Sequence, residues 1–138
     1  SKMLPGEVGL FSVRHIPRYT VIADSSVFEE ESFISWQAWR RIDKTTRKKL
    51  YEFCPGTETG IVAPPDLNSL RITWYINHSC EPNAAFTEQG NLVALKPIRP
   101  DSEITWDYSS WEQNPNYRLI CKCGSPSCRN VIGPNNSI

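Results

Sequence analysis

Cys121, Cys123 and Cys128 fall within eight positions of one another in "CKCGSPSCR", the densest cluster of reactive side chains in the sequence. One lysine separates the first two. That span is too tight for an easy disulfide between them, whereas C-x-C can grip a single metal ion. Gly124, Ser125 and Pro126 are turn formers that bring Cys128 back toward the pair. Structural zinc sits in a closed tetrahedron of four ligands. Three sulfurs leave one place open, for which Cys54, Cys80 and the two histidines, His15 and His78, are the candidates. A second stretch, "NHSCEPNA" at 77–84, bears on that choice. His78 and Cys80 lie two apart and would share a face of a strand, so a thiol activated by an imidazole is one use of Cys80. Metal ligation is the competing use. Pro82, following Glu81, ends the strand and exposes Cys80 at a turn, as a metal ligand requires.

These groups must be positioned by a chain of 138 residues, which is one domain and long enough to bury a core. Lysine plus arginine equals aspartate plus glutamate, 15 each, so bulk charge gives no reason to expect direct nucleic-acid binding. No secretory h-region is visible, and no apolar run approaches the ~18 residues of a membrane span. Five cysteines, an odd number, argue against a secreted disulfide framework and for a reducing, intracellular compartment. Eleven dispersed prolines and seven glycines predict many short strands and turns rather than a helix bundle.

The segments 8–16 and 19–28 read as two strands joined by a turn at Pro17. Over 32–53 the period changes: Phe33, Trp36, Trp39, Leu50 and Phe53 recur at helical spacing, with Ser35 and Asp43 as caps. That pattern predicts one helix broken near Asp43, or two short ones, with Trp36 and Trp39 as core rather than a binding cage. Residues 54–68 read as loop with a brief strand at 60–63. Strands are expected at 70–76, at 91–98 after a Gln89-Gly90 turn, and at the start of 102–110, with turns beyond Trp111. Arg40, Arg41, Lys44, Arg47, Lys48 and Lys49 form a basic stretch, read first as a solvated helix face and second as a docking patch for an acidic partner.

Taken in order, "NHSCEPN", "ITWDYSS" and "CKCGSPSCR" resemble the SET-domain protein lysine methyltransferases that carry a post-SET zinc motif. "GEVGLFSVRHIPRYTVI" (6–22) is similar to that family's opening segment and "LVALKPIRPDSEITWDY" to its closing strands. The family's G-x-G is matched cleanly only at Gly9, with Gly6 one position early. Trp74-Tyr75 stands where an arginine and an aromatic residue are common, and Asp101-Ser102 replaces a usual turn glycine. The resemblance implies a mainly β fold, a β-clip of small curled sheets with a pseudoknot and one or two short helices. It implies a SET domain over 1–111 and a post-SET zinc-binding tail over 112–138.

It also implies an S-adenosyl-L-methionine-dependent lysine N-methyltransferase acting on a protein or peptide, histone or other. Gly9 and Leu10 would offer the cofactor backbone contacts, Asn77 its side chain, His78 its backbone, and Tyr75 would flank it. Cys80 would join Cys121, Cys123 and Cys128 on Zn(2+), leaving Cys54 a free thiol and both histidines outside the metal site. Tyr108 matches the catalytic tyrosine, with a part in cofactor binding as well. Trp106 matches a position that sets how many methyl groups are added; its size argues for one, while its lack of a hydroxyl argues for two or three and is the reading favoured. A lysine with pKa about 10.4 must lose its proton before it can attack, at a cost of about 4.6 kcal/mol at pH 7. An apolar channel and a neighbouring sulfonium supply part of that cost. Alternatives from other classes are a catalytically silent zinc-stapled interaction domain and a cysteine hydrolase acting through Cys80 and His78.

Overall fold

The computed structural model describes residues 8–28, 32–66, 68 and 70–134; Gly6 and Glu7, where the family's opening glycine is expected, lie outside them. In chain order the elements begin with β1 (Val21–Ala23), β2 (Ser32–Ser35), α1 (Trp36–Trp39), α2 (Lys44–Phe53) and β3 (Gly60–Ala63). They continue with β4 (Asn77–His78), β5 (Ala84–Phe86), β6 (Leu92–Ala94), β7 (Thr105–Trp106), β8 (Leu119–Ile120) and β9 (Val131–Ile132). The strands form one three-stranded sheet, β1-β6-β5, and three pairs, β2-β3, β4-β7 and β8-β9. This is the mainly β architecture of small sheets with two short helices that the sequence led us to expect. Among the described residues no helix is long and apolar enough to cross a membrane.

Two compact units divide the chain. The first comprises Ser1–Glu29, Arg71–Asp107 and Cys121–Asn130. Its core is Ile76, Ala84, Leu92, Ala94, Ile98 and Ile104, with Leu10, Phe86 and Trp106 packed against it. Along β6, Leu92 and Ala94 are buried and Val93 half-buried, the period-two burial of a strand. The β5-β6 hairpin closes through Thr87 N–H to the Asn91 carbonyl at 2.9 Å. Gly90 turns it with φ 80°, a conformation glycine reaches without a Cβ clash. Asp101, in place of the expected turn glycine, also takes positive φ, at 58°. Aspartate is one of the few residues that tolerate this region.

The second unit comprises Glu30–Leu70, Tyr108–Ile120 and Val131–Ile138. Both expected caps are present: Ser35 Oγ accepts from Ala38 N–H at 3.2 Å, and Asp43 Oδ1 accepts from Thr45 and Thr46 N–H at 3.0 Å each. They start α1 and α2 separately, so the helical segment is two helices. Phe33 departs from expectation. It lies on β2, paired with Val62, and is 57% exposed, because the helix starts only after Ser35. Trp36 and Trp39 are half-buried and stack edge to face at 6.0 Å. Glu112 is buried, and its carboxylate accepts from Gly56 N–H at 3.0 Å and Asn114 N–H at 2.8 Å. Burial raises its pKa against those two bonds.

The expected strand at 70–76 is instead a 3-10 turn over Ile72–Tyr75. Thr73 and Ile76 are buried while Ile72 and Tyr75 are exposed. Burial therefore repeats every three residues, and apolar composition alone did not reveal that period. Over 8–16 there are only two single bridges, Phe11 to Glu103 and Ile16 to Ile98, and 19–28 yields β1 followed by a 3-10 turn at Ser25–Phe28. Strands β5, β8 and β9 were not anticipated. Each is two or three residues long, too short for alternation to register.

Replacing Glu112 with glutamine should destabilise the protein by about 1–3 kcal/mol in urea titrations, since the two N–H donors bond different carboxylate oxygens and the amide would turn its NH2 toward one of them. Unchanged unfolding would mean that the two bonds contribute nothing net.

Candidate functional site

Strand β4 lies parallel to β7, with Asn77 opposite Thr105 and His78 opposite Trp106. Ser79 N–H extends the ladder to the Trp106 carbonyl at 3.0 Å. Asn83, the last asparagine of "NHSCEPN", ties the pairing in place. Its Nδ2 donates to the Glu103 carbonyl at 2.8 Å and its Oδ1 accepts from Thr105 N–H at 2.9 Å. "NHSCEPN" and "ITWDYSS", separate in the sequence, thus share one edge.

Immediately after β4 the chain delivers Cys80. The sulfurs of Cys80, Cys121, Cys123 and Cys128 all lie within 4.8 Å of one another. The Cys80–Cys121 separation is 3.8 Å. Four sulfurs about 2.3 Å from a tetrahedral zinc would be about 3.8 Å apart, so the set fits one such ion. Several bonds shape the loop. Cys121 N–H donates to the Asn130 carbonyl at 2.8 Å, and Cys128 N–H to the Ser125 carbonyl at 3.0 Å. Glu81 Oε1 accepts from Ser127 N–H at 3.1 Å and from its hydroxyl at 2.6 Å, strapping the loop to the β4 turn. All five cysteines are free thiols. Cys54, buried in the second unit, is not one of the four, and burial pushes its thiol up to about 12.

Arg129 donates to the Cys80 sulfur through its backbone N–H and its Nε, at 3.4 Å each, and His78 Nε2 lies 3.3 Å from the same sulfur. Asp107 holds Arg129 by a 2.6 Å bond and faces His78 Nδ1 at 3.6 Å. Burial, opposed by Asp107, brings His78 down to about 4, so it is neutral near pH 7. Burial would raise Cys123, but the Ser125 hydroxyl and the backbone N–H groups of Cys80 and Ser125 outweigh it and lower the thiol to about 6. Burial pushes the neighbouring Cys121 thiol up instead, and a bound cation would deprotonate its thiol ligands. The His78–Cys80 contact has the distance of a nucleophilic dyad, but its sulfur also belongs to the four-sulfur cluster. Sequence reasoning missed Arg129, Asp107 and Glu81, although each adjoins a residue it had singled out.

Beside the ladder, Asn77 Nδ2 donates to the Val8 carbonyl at 2.9 Å and to Glu103 Oε1 at 2.8 Å. A Cβ on Gly9 would meet Glu103 Oε1 and come within 3.1 Å of Asn77 Nδ2, so the glycine leaves the room that the Glu103 carboxylate occupies. The Leu10 side chain packs on the core, and its carbonyl accepts from Ile104 N–H at 2.7 Å. Tyr75 is 38% exposed on its 3-10 turn. Trp106 stands edge-on to Phe86 at 4.7 Å. Tyr108, in the second unit, is half-buried and opens the 3-10 turn Tyr108–Ser110.

The sequence model of the SET domain matches residues 7–109. Histone-lysine N-methyltransferase ash1 of Drosophila melanogaster is 36% identical over 66 residues, covering 43% of this chain and 3% of the relative. Histone-lysine N-methyltransferase Set2 of the same species is 41% identical over 69 residues, covering 45% and 3%. Histone-lysine N-methyltransferase TRX1 of Oryza sativa subsp. japonica is 38% identical over 68 residues, covering 44% and 6%. The matched region thus represents only a few per cent of these much longer proteins.

The purified chain should carry one zinc, measured by elemental analysis against protein concentration. Cys80→Ser should lose it and unfold the tail, since structural sites of this type bind with roughly 10–16 kcal/mol at pH 7. Cys54→Ser should leave metal content untouched. Full zinc retention in Cys80→Ser would remove that residue from the ligand set.

Proposed function

The chain belongs to the SET-domain family, and from that membership we propose that it is an S-adenosylmethionine-dependent protein-lysine N-methyltransferase with a post-SET tail over 112–138. The observation that carries the reading is the convergence of Gly9, Asn77 and the β4-β7 ladder beside a four-cysteine site. Cys80, Cys121, Cys123 and Cys128 would hold zinc, which acts structurally because all four positions are protein sulfurs. For the cofactor, Gly9 and Leu10 would offer backbone contacts and the Asn77 side chain a polar partner. His78 contributes its backbone and Tyr75 an aromatic flank.

When bound, S-adenosylmethionine supplies a sulfonium-activated methyl group that a neutral amine can accept. The protein's task is to bring a lysine there uncharged and aligned. Desolvation by apolar walls disfavours the ammonium and lowers its pKa. Alignment supplies the rest, because holding reactants in line removes entropy from the barrier. A phenol with pKa about 10 is a weak base near neutrality, so we assign Tyr108 to positioning and electrostatic stabilisation. The substrate class is a protein or peptide, with histones favoured by the names of the relatives.

Calorimetry should detect cofactor binding to wild type and much weaker binding to Asn77→Ala. Tyr108→Phe should lower turnover by about 10²-fold with little change in cofactor affinity, the pattern of an interaction made in the transition state. Undiminished turnover would take Tyr108 out of the mechanism.

Trp106 offers an indole N–H donor but no hydroxyl to hold a water against the amine. Wild type should therefore carry a lysine past the first methyl, and Trp106→Tyr should shift products toward monomethyl-lysine. Intact-mass time courses on an accepted peptide read each methyl as a discrete step. Identical products from both proteins would show that residue 106 does not control their number.

A further inference from the structure

Both hydrogens of the Asn77 carboxamide are committed, one to the Val8 carbonyl and one to the Glu103 carboxylate. Neither partner offers a hydrogen in return, so the amide has one consistent orientation, with its oxygen turned away from both. Among the described residues that oxygen accepts no hydrogen bond. Glu103 does more than accept: its carboxylate packs where a Cβ on Gly9 would stand, so it sits at Gly9 itself. We propose that Glu103 is a positioning residue for cofactor binding, locking the Asn77 carboxamide so that it presents an acceptor to the ligand. This rests on the methyltransferase reading above.

The chemistry depends on the sign of the groups on offer. An amide oxygen beside a carboxylate suits a cationic donor, and S-adenosylmethionine carries one in its α-ammonium. Without the Glu103 acceptor, one Asn77 hydrogen loses its partner and the flipped amide comes within reach. That flip would set oxygen against the Val8 carbonyl oxygen and offer the ligand an NH2 that repels an ammonium. A neutral side chain that still accepts from Nδ2 would preserve the orientation. A shorter one would not reach.

The test is calorimetric titration of the full, zinc-loaded chain with S-adenosylmethionine, with zinc content and Tm recorded for every variant. Glu103→Ala should weaken binding about tenfold, the scale of one lost hydrogen bond, while zinc content and Tm stay at wild-type values. Glu103→Gln should stay within about threefold of wild type. In an Asn77→Ala background, Glu103→Ala should add less than about twofold, because it acts through the amide that is already gone. In the unliganded protein the Asn77 side-chain amide resonances should shift in Glu103→Ala and hold in Glu103→Gln. Should Glu103→Ala fail to fold, Glu103→Asp, which keeps the charge but loses reach, carries the same expected loss. Equal affinity in wild type and Glu103→Ala, or full multiplicative losses in the double variant, overturns the positioning role alone. A wild type that binds no cofactor overturns the methyltransferase reading and this inference with it.

Discussion

Asn77 and His78 pair with Thr105 and Trp106 in a parallel ladder two residues long, from which Asn77, Cys80 and Asp107 take their places. Two residue pairs are too few to hold together unaided. The ladder persists because Ile76 and Ile104, the residues preceding its strands, are buried at 2% and 3% exposure in one core. Asn83 then bonds to the backbone of Glu103 and Thr105 from the turn after β4. Hydrophobic burial sets the approach and the asparagine sets the register.

The residues just beyond each strand inherit that register. Cys80 leaves the end of β4 already directed at the cysteine-rich loop, and Asp107 leaves the end of β7 directed at Arg129. Four thiolates around one divalent cation would leave excess negative charge in a mostly buried place. The Arg129 guanidinium, held by Asp107, donates to the Cys80 sulfur and would offset part of that charge. Donors of this kind orient a ligand and tune its basicity. His78 is neutral there, so it bonds without adding charge. The same ladder that places Asn77 therefore also leads into the four-cysteine cluster.

The second unit is stabilised in a different way. Its helices are short, α1 having four residues and α2 ten, and each is started by a side-chain cap rather than by length. Interior order comes from Leu50, Ile61 and Tyr117, all at or below 4% exposure, and from Glu112 satisfying two backbone donors. Burying a carboxylate for this purpose is costly unless both oxygens are used, and both are.

Much about this protein is local and was therefore written in the sequence. Ser35 and Asp43 cap helices because a side-chain oxygen reaches an N–H two or three residues on, and Gly90 turns a hairpin because it alone lacks a Cβ clash. The cysteine spacing announced a metal-type cluster, and the family resemblance singled out Cys80 as its fourth member. Tertiary structure alone decided the rest. Apolar composition does not distinguish a strand from a 3-10 turn, and at 72–75 the choice depended on which residues the core could accept. Glu103 reads as an ordinary strand acid until folding brings it to Asn77, 26 positions away, and Arg129 reads as a surface cation until it meets Asp107, 22 positions away. Partnerships across such distances depend on the loop closures that the core makes possible, and no local pattern encodes them.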